Sequence, residues 1–155
     1  MILVSNLQIE KLMFLDFTYA YPEVDDLKLL HTANIMAQYL DNDEDGNVDN
    51  PFLISTLKSN KASLFIWKYE SQISINAQDL GDDETLPSWH NNNQNERFDA
   101  SLEEVWHVIT HSGYANAYPN VFGENDKSLL VKAMDVSRGG NFKSIPSPYP
   151  SGAWY

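Results

Sequence analysis

The sequence predicts an α+β fold, helix-rich and in one domain, on three observations. Apolar residues recur at helical spacing in several separate segments. One run, "ASLFIWKY" (62–69), has the aromatic and β-branched centre of a strand. Between the first two predicted helices lies a ten-residue acidic stretch, "DNDEDGNVDN", whose shape implies a helix–loop–helix.

In chain order, the opening residues "MILVSNLQIEKLMFLDF" alternate loosely between apolar and polar and suit a strand or two through Tyr21, where Pro22 breaks the pattern. Asp25 or Asp26 then caps a helix from about Leu27 to Leu40, with Leu29, Ala33, Met36, Ala37 and Leu40 as its apolar stripe. Pro51 opens a short second helix, since the first turn does not use its missing N–H. The polar stretch from Ser71 to Asn95 reads as a long surface excursion ordered by a ligand or ion. Ser101 opens a third helix that Gly113 ends in a left-handed cap. "YANAYPNVFG" reads as turns. A last helix from about Lys127 to Ser137 is capped by Asn125 or Asp126 and stops at Gly139-Gly140. Residues 1–140 form the domain. The tail 141–155, with three prolines and four aromatics, is an extended arm packed on the body or on a partner chain.

Composition narrows the function. The 155 residues are 43% hydrophobic and contain no cysteine, so disulfides, thiol catalysis and Cys-type zinc sites are excluded. With 22 acidic against 10 basic residues the formal charge is -12, which opposes nucleic-acid or anionic-membrane partners and favours cations, basic peptides or neutral substrates. No apolar run approaches the ~18 residues of a membrane span. The first residues lack the basic start and long apolar core of a secretion signal. If the protein is extracellular or periplasmic, its leader precedes this chain.

The acidic stretch carries the firmest chemistry. Asp41, Asp43 and Asp45 stand at alternate positions, followed by Gly46, Asn47, Val48 and Asp49. A loop turning around a hard cation presents every second side chain inward, so three carboxylates share the charge. Gly46 permits the sharp turn, Asn47 offers its carbonyl, Asp49 binds directly or through water, and Val48 anchors the loop in the core. The segment resembles EF-hand, dockerin and thrombospondin-type calcium loops, which implies a calcium-binding helix–loop–helix. It departs from them at the twelfth position, where Phe52 replaces the bidentate acid. Calcium is therefore expected, with modest affinity suited to an extracellular setting. A bare acidic turn is the competing reading.

"SLEEVWHVITHSGY" (101–114) raises a second possibility. His107 and His111 are one helical turn apart, with Glu103 and Glu104 a turn earlier. Two imidazoles so spaced hold zinc, and a neighbouring carboxylate serves as ligand or as base for a bound water with its pKa near 7. Neither zincin order, HExxH or HxxEH, is present. His90 and His31 lie where they could join the same cleft, and Tyr114 or Tyr118 could polarise a carbonyl. Against this, Ser101 and Glu104 spell a capping box, and a buried core role suits His31.

Three segments, "ANIMAQYLDNDEDG", "HVITHSGYANAYP" and "AMDVSRGG", make the chain similar to a group of uncharacterised exported proteins. In that group the sequence runs on past the tail. The resemblance therefore implies a processed or truncated end at "SGAWY", with room for a further metal ligand beyond it. It implies no activity. The expectation is a calcium-stabilised, zinc-dependent hydrolase of peptidase type. The alternative is a non-catalytic extracellular calcium-binding module.

Overall fold

A computed structural model describes residues 17–73, 77–90 and 97–137. The expected strands before residue 17, the stop at Gly139-Gly140 and the arm 141–155 lie outside the described residues. Within them the chain is a small α+β domain with a three-stranded parallel sheet. Among the described residues, no helix is long and apolar enough to cross a membrane.

Strand β1 (Thr18–Ala20) leads through Pro22 into helix α1 (Asp26–Leu40). Asp25 is the N-cap, its carboxylate accepting from the Leu27 N–H at 2.9 Å. Leu29, Thr32, Ala33, Ile35, Met36 and Leu40 are buried, and Ala37 packs beside them. Helix α2 (Pro51–Ser59) starts at the proline, with Asn50 as N-cap accepting from the Leu53 N–H at 3.0 Å. It buries Leu53, Ile54 and Leu57.

Strand β2 (Leu64–Trp67) is the centre of the sheet. Leu64 and Ile66 are fully buried on one face, while Phe65 meets Tyr19 and Tyr21 on the other. Parallel pairing needs the chain to cross back between strands, and α1 and α2 make that crossing between β1 and β2. Strand β3 (Gln78–Gly81) then pairs parallel to β2.

This third strand corrects the expectation of a surface excursion over 71–95. Its periodicity is hidden because the strand is four residues long and its two buried residues, Leu80 and Gly81, are adjacent and so lie on opposite faces. After it come two 3-10 turns, Asp82–Glu84 and Pro87–His90. Asp82 and Thr85 are buried there, so this polar run is part of the core's wall. Residues 74–76 and 91–95 of the excursion lie outside the described residues.

Helix α3 (Ser101–His107) continues without a break into a π-helical stretch, Val108–Tyr114, and then into α4 (Ala115–Ala117), and α5 (Pro119–Phe122) follows after a bend at Tyr118. "YANAYPNVFG" is therefore short helices rather than turns. Gly113 does not end a helix in a left-handed cap. It is needed because a Cβ there would sit 2.8 Å from Leu53 Cδ1 and 3.1 Å from Leu57 Cδ2, so the backbone abuts α2 directly. The wide π turn frees carbonyls that side chains satisfy: Asn116 donates to the His111 carbonyl at 2.8 Å, and Asn60 to that of Ser112 at 2.8 Å. Helix α6 (Leu129–Ser137) starts two residues later than expected, with Ser128 Oγ accepting from the Val131 N–H at 3.2 Å.

Candidate metal centres

Two groups of three metal-ligating side chains converge among the described residues: His31, His90 and Asp99, and Asp41, Asp43 and Asp49. In each, the three ligand atoms lie within 4.8 Å of one another.

The first group joins three distant parts of the chain. His31 projects from α1, His90 ends the second 3-10 turn, and Asp99 precedes α3. Asp99 is wholly buried, and its two oxygens have different tasks. Oδ1 accepts from the Leu86 N–H at 3.0 Å, the Ser101 N–H at 3.2 Å and the Ser101 hydroxyl at 2.8 Å. Oδ2 faces Nε2 of His31 at 2.7 Å and Nε2 of His90 at 2.8 Å. The imidazoles meet edge to face with centroids 5.1 Å apart. Burial alone would raise the Asp99 pKa. Hydrogen bonds from His31, Leu86, Ser101 and His90 outweigh it and hold the carboxyl well below its usual range. The carboxylate thus stays ionised in a buried setting. His90 is the open side of the group, its side chain 36% exposed against 16% for His31.

This arrangement also corrects the capping box. Asp99, not Glu104, binds the groups that open α3. Glu104 instead accepts from Gln78 Nε2 on β3. Burial raises the Glu104 pKa, only partly offset by that hydrogen bond and by nearby His107.

The acidic loop joins α1 to α2 and is closed by the Asp49 N–H on the Leu40 carbonyl at 3.0 Å. Gly46 takes φ 88°, a left-handed value that favours glycine, as the turn requires. Asp41 accepts from the Asp45 N–H at 3.2 Å and the Gly46 N–H at 3.0 Å, and Asp49 accepts from the Asn42 N–H at 3.1 Å. Asp45 is not in the converging trio. Its carboxylate accepts from the Asn47 N–H at 2.7 Å. Val48 packs against the core, as its position in the loop predicts. Phe52, at the twelfth position, is exposed and stacks edge-on against Tyr118.

The histidine helix is arranged differently from the expected zinc pair. His107 Nε2 lies 3.6 Å from Glu103, while His111 Nδ1 meets both oxygens of Glu124 at 2.8 and 2.9 Å. Neither histidine belongs to a converging group of three among the described residues. His90 and His31 join each other rather than this pair. Tyr114 packs against Phe122 and Tyr118. Asp99 was not singled out from sequence. The available signal was "FDAS", an acid two residues ahead of a helix start, which reads only as a cap.

At the same edge of the sheet, Lys28 and Lys68 both bind the buried carboxylate of Asp82, just past the end of β3. Lys28 stands one helical turn before His31. No protein-family model, curated protein or solved structure matches the chain.

Proposed function

We propose that this chain is a calcium-stabilised, metal-dependent hydrolase whose working ion is held by His31, His90 and Asp99. The observation that carries the reading is the meeting of two Nε2 atoms at one oxygen of a buried, ionised aspartate. Two imidazoles and a carboxylate are a common catalytic zinc ligand set, because three protein ligands leave positions for water and substrate. A zinc-type ion would supply a Lewis acid and an activated water, the chemistry of peptide-bond hydrolysis. The chain's own part is to hold the carboxylate ionised and aimed, and to keep one side open at His90. Glu104 is tied to Gln78 on β3 and is given no part at this ion. His107 and His111 fit helix-surface contacts with Glu103 and Glu124 better than a role as ligands in this reading.

The test is metal analysis after dialysis against zinc. One zinc per chain is expected in the wild type, lost in His90→Ala and retained in His107→Ala and His111→Ala. Peptide hydrolysis should follow the metal. Loss of zinc from the His107→Ala variant, with His90→Ala unaffected, would return the site to the histidine helix.

A second reading, a non-catalytic extracellular calcium-binding module, is favoured by the convergence of Asp41, Asp43 and Asp49 at the α1–α2 junction. It would bind calcium alone and be indifferent to His90. An incomplete ligand set suits the calcium-rich extracellular or periplasmic setting.

A further inference from the structure

We infer that Asp99 binds this ion through a single oxygen, and that Ser101 is the positioning residue that enforces it. The inference rests on the proposed metal site and concerns how that site stays open. A carboxylate facing a divalent ion can bind through one oxygen or both. Two-oxygen binding fills an extra coordination position that water or substrate would use. Here Oδ1 is already committed to three donors, two of them from Ser101. Ser101 is wholly buried, so water does not compete for these bonds. Only Oδ2 is turned toward the histidines. With both nitrogens and one oxygen as ligands, the ion expected is a divalent first-row transition metal, since calcium prefers an all-oxygen shell. The Leu86 N–H ties the same oxygen to the segment following β3, so the carboxylate cannot rotate without breaking contacts on two sides. Outer partners of this kind commonly change metal affinity about 10–100-fold.

The experiment loads the full chain with cobalt(II), whose visible absorption weakens as coordination number rises. Ser101→Ala removes the hydroxyl donor and leaves both backbone donors, and a metal-free melt verifies that it folds. The expected result is cobalt affinity lower by about 10–100-fold and a weaker visible band, as Oδ1 turns toward the ion. Ser101→Thr, which keeps the hydroxyl, should restore both. A merely structural role would move the melt and leave the band unchanged in the loaded protein. If wild type binds cobalt and Ser101→Ala matches it in affinity and spectrum, the positioning role is refuted while the site stands. If wild type takes up no cobalt, the proposed site itself fails.

Discussion

Replacing Asp99 by alanine gives the most direct measure of how the candidate centre is built. Five hydrogen bonds end on this carboxylate. The imidazoles of His31 and His90 are partly exposed and can turn to water when it is removed. The Ser101 and Leu86 N–H groups have no such freedom. A buried donor left without an acceptor costs about 1–3 kcal/mol, and two such donors, the Ser101 and Leu86 N–H groups, lose theirs. For a domain of this size each kcal/mol moves the melting temperature by roughly 2–4 °C. Asp99→Ala should therefore melt about 10 °C lower. The assay is a circular-dichroism melt and a urea titration at pH 7 with chelator present, so that no metal contributes. A drop below about 2 °C would show that the carboxylate does not anchor the start of α3.

The pH dependence gives an independent check on the same residue. The folded pKa of Asp99 is depressed, so its contribution is complete above the unfolded value of about 4. It drains away as pH falls below that value toward the folded one. Wild type should lose stability more steeply than Asp99→Ala in this acid window, and the two curves should converge at its lower end. Parallel curves would refute the hydrogen-bonded, ionised state described for the carboxylate.

Two further predictions concern the scaffold around the centres. Gly113→Ala places a methyl against Leu53 and Leu57, and overpacking of this kind costs about 1–3 kcal/mol, more than the ~1 kcal/mol gained in helix propensity. Leu53→Ala should cost less in that background than alone, measured by urea unfolding; equal costs would remove the close-approach explanation. If the loop binds calcium as proposed, wild type should gain about 1.4 kcal/mol at ten times the dissociation constant, and Asp43→Ala should abolish that gain. A calcium response identical to wild type would leave the loop a bare acidic turn.

The local elements were legible where a short-range rule governs them. Asp25 caps α1, Pro51 opens α2 and the apolar centre of 62–69 makes β2, because each depends on neighbours within a few residues. The helix–loop–helix around Asp41–Asp49 follows from the same kind of rule, and Gly46 takes the left-handed conformation that its place in the loop requires. β3 was not legible, since a four-residue edge strand whose two buried residues, Leu80 and Gly81, are adjacent shows no alternation to stand out.

What the sequence by itself determined is therefore the helical frame, the acidic loop and the exclusion of thiol chemistry. Only the tertiary structure decided which histidines meet. His107 and His111 are neighbours by helical spacing, yet each turns to its own carboxylate. His31, His90 and Asp99 come from three separate elements, brought together because α1 packs against the start of α3 and the turn after β3 folds over both. Spacing along a chain predicts contacts within one helix. It carries no information about a site whose ligands are 59 and 9 residues apart, because that proximity is a property of packing.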